Sequence, residues 1–290
     1  MMGVVNVYKE KGYTSHDVVA VVRRILGTKK VGHTGTLDPN ATGVLPICVG
    51  RATKFADFFA AEDKTYIAEI VLGIETETGD VTGATTATSP VNFDVIAIQR
   101  CLQTFCKTYM QTPPMYSAIK INGQKLYELA RQGKTVLREG RQVTISEITP
   151  LEFNVVTHTF SIRVKCSKGT YIRSLAVDIG KELGTLATMG ELMRVQSGQF
   201  MLNHALYPAL TLSEISNAVD NGTFKLAPIE SLLSYPVYNL PEGLFVQASN
   251  GNPFRLPGHA TGRFWAHASG RNIGLFQLDE HANARPVVML

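Results

Sequence analysis

The 290-residue chain has no long apolar stretch. Its longest apolar runs, such as Val18–Val22 and Val44–Val49, fall far short of the roughly 20 residues that a spanning helix needs. Met1–Tyr8 is apolar but short, with no basic region before it, so the expected address is the cytoplasm. Cysteine is scarce: Cys48, Cys101, Cys106 and Cys166 form no CxxC pair, and an iron–sulfur spacing would want a third cysteine where Tyr109 stands. Four reduced, mostly buried thiols are expected. The seven histidines form no HxxxH, so no metal site is expected. Nucleotide loops are missing too. Gly133-Lys134-Thr135 imitates the end of a phosphate loop, but the glycine required upstream is Glu128. With no GxGxxG, GxSxG or HExxH either, no cofactor is expected, and any chemistry must come from side chains.

What is present is enough for a folded body. Hydrophobic residues make up 44% of the chain and net charge is only +4, which excludes disorder for most of it. Length suggests about two domains. Charge is unevenly distributed. Lys and Arg outnumber Asp and Glu eight to three over 1–55, seven to two over 107–142 and six to three over 163–194, whereas 56–106 carries two against eight. Basic blocks gathered on one face would suit a polyanion. Spread around the surface, they would only solvate it.

Periodicity predicts a strand at Val4–Tyr8, then a helix opened by Ser15 as N-cap, with Val18, Val19, Val22, Ile25 and Leu26 at helical spacing and Gly27 past its end. Lys29–Gly50 reads as loop ending in the apolar run Val44–Val49, Thr65–Leu72 as a strand, and Gly73–Pro90 as a long loop. Helical spacing spans Val91–Tyr109. Leu126–Gln132 and Ser174–Leu183 read as helices closed by Gly133 and Gly184. Phe160, Ile162, Val164 and Cys166 alternate with polar residues as a half-buried strand. From about Pro236 the composition shifts: no lysine, three of the seven histidines, and Trp265, the only tryptophan. The mixture lacks regular β-α alternation. It predicts an α+β fold with a mixed, mainly antiparallel sheet and a small β-rich C-terminal domain, divided into 1–236 and 237–290.

The densest segment runs from Val31 to Pro46, VGHTGTLDPNATGVLP. Pro39 pushes Asp38 out of helical geometry. Gly32, Gly35 and Gly43 permit tight bends and close approach to a ligand. A carboxylate there, five residues after His33, could serve as nucleophile or acid–base group; the same residues equally suit an Asx-type turn.

This segment resembles the catalytic loop of the bacterial tRNA pseudouridine-55 synthases, the TruB family. The resemblance continues in order along the chain. Lys9-Glu10-Lys11-Gly12-Tyr13-Thr14-Ser15, Lys64-Thr65-Tyr66 and the acidic stretch Gly73–Asp80 are similar to family motifs. So are Gln111–Lys120, with Gly123 and Leu126–Arg131 after it, and Gly169-Thr170-Tyr171-Ile172-Arg173-Ser174-Leu175. It covers roughly 2–195, and the tail resembles a short, divergent PUA-type RNA-binding domain. An ordered series of motifs is far more specific than any one of them.

The resemblance implies a cofactor-free tRNA pseudouridine synthase acting on the T-loop uridine. Asp38 would be the nucleophile, paired with Arg173, whose guanidinium would favour the ionised carboxylate. Tyr66 would stack on the uracil and exchange a proton. Tyr171 and Leu192 would line the same pocket. His33 would fill the gap left by the flipped nucleotide. Lys9, Lys64, Lys120 and Arg131 would contact phosphates or support the site locally. The implied partner is tRNA through its T-arm, with no membrane, no obligate protein partner, and a monomeric enzyme. A guide-RNA-dependent relative would want a larger C-terminal region. A non-catalytic RNA binder would not need Asp38, Tyr66 and Arg173 together. A glycosidase would need a second carboxylate roughly 5–10 Å from Asp38, and the sequence nominates none.

Overall fold

The structure is a computed structural model that describes residues 1–121 and 123–290. In chain order its first elements are strand β1 (Gly3–Lys9), helix α1 (Ser15–Ile25), β2 (Val31–His33), β3 (Thr42–Val49), the short helix α2 (Ala56–Ala60) and β4 (Lys64–Leu72). A hairpin of β5 (Ile74–Thr76) and β6 (Thr85–Thr88) leads to α3 (Val95–Thr104) and β7 (Thr108–Gln111). Then come the two-residue strands β8 (Lys120–Ile121) and β9 (Gln124–Lys125), α4 (Leu126–Arg131), and the long antiparallel pair β10 (Arg141–Asn154) and β11 (Thr159–Cys166). Helix α5 (Ile172–Glu182), β12 (Ala187–Ser197), β13 (Phe200–Met201), α6 (Leu212–Asp220) and α7 (Ile229–Leu232) complete the body.

One nine-stranded sheet organises this body, in the order β1-β3-β12-β4-β11-β10-β7, with β2 on β3 and β13 on β12. Its pairs are antiparallel except β3 with β12. The α+β class and the mainly antiparallel mixed sheet are as the sequence predicts. The β3–β12 contact needs glycine. Gly43 has φ +103°, and a Cβ there would sit 2.2 Å from the Arg194 carbonyl oxygen. The two strands can therefore close on each other, and β12 is seated between the strand that ends the Asp38 loop and the strand that carries Tyr66. α1, α3 and α5 cover one face, contributing Val18, Val22, Ile98, Leu102, Leu175 and Ile179 to a core shared with Val7, Leu45, Ile47, Ile70 and Ile162.

Local differences from the sequence reading have identifiable causes. The cap of α1 is Thr14, not Ser15: its hydroxyl accepts from Asp17 N at 3.0 Å, and Asp17 accepts from Thr14 N at 2.8 Å, a capping box. The Ser15 hydroxyl instead accepts from Leu37 N at 2.9 Å and donates to Leu37 O at 3.1 Å. Helix α3 is shorter than the apolar spacing of 91–109, because Asp94 caps it by accepting from Ile96 N and Ala97 N. Val91 and Phe93 reach the core from the non-helical lead-in, and Tyr109 lies in β7 against Val143 of β10. The 73–90 loop contains a hairpin. Three of the four free thiols are buried and Cys106 is exposed.

Beyond Pro236 the chain forms a second sheet. Its strands are β14 (Val237–Asn239), β15 (Phe254–Arg255), β16 (Gly262–Ala268), β17 (Arg271–Leu278) and β18 (Asn283–Met289), in the order β14-β16-β17-β18-β15, with α8 (Phe245–Ser249) between the first two. One side of this sheet has its own core around Phe264, Phe276 and Leu278. The other side docks on the body. Trp265 is fully buried, its ring 5.5 Å from that of Phe55, and its Nε1 donates to Leu233 O at 3.0 Å. Leu275 and Val288 join Val4, Val44 and Phe200 in the same cluster. Among the described residues, no helix is long and apolar enough to cross a membrane.

Because Trp265 fills space between sheet and body, Trp265→Ala should cost about 3–5 kcal/mol of stability. Denaturant unfolding followed by circular dichroism measures this. A loss under about 1 kcal/mol, the range of a surface substitution, would show that the two parts are not packed as described.

Candidate active site

Asp38 is the half-exposed tip of a loop whose two flanks are pinned. On one side Leu37 is tied to Ser15 through the two hydrogen bonds above. On the other, the Pro39 carbonyl accepts from Gly12 N at 2.9 Å and from Lys9 Nζ at 3.0 Å. The chain closes a turn at once, with Ala41 N donating to Asp38 O at 3.1 Å. The carboxylate is thus presented by a fixed backbone, the condition for positioned chemistry.

Its partner comes from the first turn of α5. Arg173 is buried, and its Nη2 lies 3.0 Å from Asp38 Oδ2. The same guanidinium donates from Nη1 to Thr78 O at 3.0 Å and from Nη2 to Tyr116 O at 2.8 Å, while Nε lies 4.0 Å from Asp80 Oδ2. One planar cation therefore gathers the Asp38 loop, the acidic turn after β5 and the segment that follows β7. Asp80 is held in turn: its Oδ1 accepts from Thr78 Oγ1 at 2.9 Å and from Thr82 N at 3.0 Å.

A cavity of about 260 Å³ opens beside this pair, lined among others by Asp38, Lys64, Tyr66, Ser117, Tyr171, Arg173, Leu192 and Arg194. That is smaller than the roughly 300–1,000 Å³ of drug-sized ligand clefts, and suits one ring or base. Tyr66 and Leu192 supply apolar walls and are nearly buried. Burial pushes the Tyr66 hydroxyl above the ordinary tyrosine value, with the Arg194 charge opposing that rise. Tyr171 precedes α5. Gln111 holds its backbone by accepting from Tyr171 N at 2.8 Å and donating to Tyr171 O at 3.2 Å, and burial raises this hydroxyl as well. His33 is on β2 and does not line the cavity; it reaches it only through Gly35. Its Nδ1 accepts from Gly35 N at 3.3 Å, and its ring meets His16 edge-on at 5.2 Å. Burial first, then the charges of His16 and Arg194, holds His33 below the ordinary histidine value, favouring the neutral ring.

Lys9 and Lys64 lie inside the protein. The Lys9 ammonium donates to Glu10 O and Pro39 O, and that of Lys64 to Ala60 O and Glu62 O. Desolvation lowers each to about 8. Lys120 and Arg131 are exposed at the outer edge of the 112–131 segment, where Arg131 stacks over Tyr127 at 5.5 Å.

Two groups escaped the sequence reading. Asp80 was visible only as part of an acidic loop. Arg194 stands two residues after Leu192, so on a strand it shares that residue's face; it is fully buried and directly opposite Tyr66 in the β12–β4 pairing. A basic residue at an inward position of an apolar strand was the available signal. No cluster of three or more His, Cys, Asp or Glu side chains suited to a metal occurs among the described residues.

Comparison with known proteins gives a consistent picture. Residues 23–172 match the profile of the TruB family pseudouridylate synthase N-terminal domain, and 173–234 match that of the tRNA pseudouridylate synthase B C-terminal domain. The chain is 46% identical over 266 residues to a tRNA pseudouridine synthase B of Geobacillus thermodenitrificans, covering 89% of this chain and 87% of the relative. It is 43% identical over 282 residues to that of Bacillus subtilis, covering 94% and 89%. Among solved structures, a chain of an H/ACA RNP bound to a substrate RNA containing 2′-deoxyuridine aligns with TM-score 0.71 at 23% identity, over 99% of this chain and 84% of that one. A chain of a Cbf5-Nop10-Gar1 complex does so with TM-score 0.71 at 24%, over the same shares. These two likenesses establish the shared fold.

The buried lysines make a pH prediction. Lys64 titrates near 8 when folded and near the model-peptide 10.5 when unfolded. Between those values the unfolded chain binds more protons, so stability rises with pH through the Lys64 contribution; below 8 its burial penalty is fully present. Lys64→Met removes that contribution. The unfolding free energy of wild type relative to Lys64→Met should therefore increase as pH is raised from 8 to 10, measured by urea titration. A difference independent of pH would contradict burial of a charged Lys64.

Proposed function

The chain belongs to the TruB family of pseudouridylate synthases, isomerases that make pseudouridine in RNA, and we propose that it converts the uridine at position 55 in the T-loop of tRNA, with Asp38 as nucleophile. The observation that carries this reading is the 3.0 Å contact between Asp38 Oδ2 and a buried Arg173 at the edge of a base-sized cavity.

The reaction moves uracil from an N1 linkage to a C5 linkage. The C1′–N1 bond breaks, the ring turns, C5 bonds to C1′, the C5 proton leaves, and N1 gains a proton. The sum is an isomerisation, which needs no cofactor. Arg173 anchors one carboxylate oxygen, and among the described residues Asp38 Oδ1 accepts no hydrogen bond, leaving it free to attack. Attack at C1′, addition at uracil C6, and a glycal formed by loss of the C2′ proton all use this same carboxylate. Tyr66 would stack against the base. Its hydroxyl, kept protonated by burial, is a proton donor within the cavity. Leu192, beside Tyr66, and Tyr171 would exclude water from the cavity. A target inside a folded loop must leave its stack, at a cost of a few kcal/mol. His33, held toward the neutral ring, would occupy the vacated place.

The same reading makes it a monomeric enzyme working in the cytoplasm without an obligate protein partner. Lys9 and Lys64 act as supports of the loop and of the end of α2, since their donors are engaged by carbonyls. Lys120 and Arg131, exposed, remain available for phosphates. Residues 237–290 form an RNA-binding domain that touches tRNA away from the flipped base.

The test is incubation with an unmodified tRNA transcript followed by chemical mapping of pseudouridine. One new pseudouridine, at position 55, is the expected result; none, or one at another site, overturns the reading. Arg173→Lys keeps charge but loses the fork that binds four groups. Its turnover should fall about 10²–10³-fold with RNA affinity nearly unchanged, as read by single-turnover kinetics and filter binding. Near-native turnover would mean that Arg173 does not orient Asp38.

A further inference from the structure

Lys9, Lys64 and Arg194 are three buried cations, and Lys64 and Arg194 line the cavity. None of them makes an ion pair among the described residues. Carbonyl oxygens hold all three, but a carbonyl dipole is not a counter-charge, and taking a full charge out of water without one is costly. Arg194 is the most deeply placed of the three that also lines the cavity. Its Nε donates to Val44 O at 2.7 Å and its Nη2 to Gly35 O at 3.3 Å, so it bridges the two ends of the Asp38 loop. The same side chain interacts by hydrogen bonding with the Tyr66 hydroxyl, and its Nη1 lies toward Gly35, where a Cβ would meet it at 3.7 Å. Across the sheet Arg194 is the direct partner of Tyr66, the residue read above as stacking on the base.

The reaction places negative charge beside this group by any of its routes. When C1′–N1 breaks, the bonding pair leaves with the base, and the ring carries the charge over N1, O2 and O4 until C5 bonds to C1′. If Asp38 instead adds to C6, the pair displaced from C5=C6 forms an enolate on the same ring. Arg173 cannot serve this charge, because its donors face Asp38, Asp80, Thr78 O and Tyr116 O. We propose that the Arg194 guanidinium stabilises the negative charge that develops on the uracil ring, as well as holding the catalytic loop. A preorganised cation in a water-poor site is an effective form of such stabilisation. The inference rests on the uridine-isomerising function proposed above.

The test uses single-turnover kinetics of the full chain on T-arm RNA carrying either uridine or 5-fluorouridine at the target. Rates are read as loss of the N1-linked nucleoside for wild type, Arg194→Gln and Arg194→Lys. Fluorine withdraws electrons and stabilises the ring anion by itself. Arg194→Gln should slow the uridine reaction about 10²–10³-fold and Arg194→Lys about tenfold, with RNA affinity unchanged. The deficit of each variant should shrink on 5-fluorouridine. Equal deficits on both RNAs would overturn the proposal and leave Arg194 only as a clamp on Gly35 and Val44. Should Arg194→Gln melt far below wild type, Arg194→Lys on the two RNAs decides alone, by the same comparison. Wild type that consumes neither RNA would instead defeat the proposed function itself, a separate outcome.

Discussion

The ion pair between Asp38 and Arg173 is the contact on which the rest of the site depends. A carboxylate at a loop tip would ordinarily sample many orientations, and an exposed ion pair would do little to restrain it. Here the arginine is buried, and it is committed to the Thr78 and Tyr116 carbonyls as well as to Asp38. Orienting the carboxylate therefore also fixes the distance between the Asp38 loop, the acidic turn and the segment before α4. The cost of burying the guanidinium is offset only while all these acceptors stay in place. Loss of any one would loosen the others, the behaviour of a polar network that is stable only when fully satisfied.

The sheet supports this arrangement from beneath. Strand β12 reaches parallel to β3 and antiparallel to β4, which brings Leu192 and Arg194 under the cavity next to Tyr66. Gly43 permits that approach, and Arg194 and Lys9 then fasten the loop from inside. The resulting pocket holds more buried positive than negative charge. A bound nucleotide would bring its phosphate, and the proposed reaction would add charge on the ring, so the imbalance would suit such a substrate.

Much of this was legible in the residues. Alternation identified β11, apolar spacing identified α1, Thr65–Leu72 and Ser174–Leu183 were read as the strand and helix that became β4 and α5, and the composition change near 236 lies at the start of β14. The Asp38 loop announced itself through its glycines and proline, and the ordered motif series is what led to reading Asp38 as a proposed nucleophile rather than part of a simple turn. What escaped was set by long-range contacts. Ser15 looks like a cap, but its hydroxyl is taken by Leu37, and Thr14 does the capping. β10 is interrupted by register shifts around Ser146 and Leu151 and contains Pro150, so its alternation is broken. The partners of Arg173 lie 57 and 95 residues away in sequence, and no local pattern encodes such a meeting. Arg194 lies on β12, a strand that the sequence reading did not assign, at the centre of the sheet between β3 and β4.

The most direct measurement is the single-turnover rate of Asp38→Asn on unmodified tRNA, with affinity determined in parallel. Asparagine preserves shape but is a poor nucleophile and cannot act as a base. The account predicts no pseudouridine above trace, with tRNA bound nearly as tightly as by wild type, because binding rests on phosphate and loop contacts elsewhere. Pseudouridine at more than trace level from the purified variant would contradict the claim that Asp38 carries the chemistry.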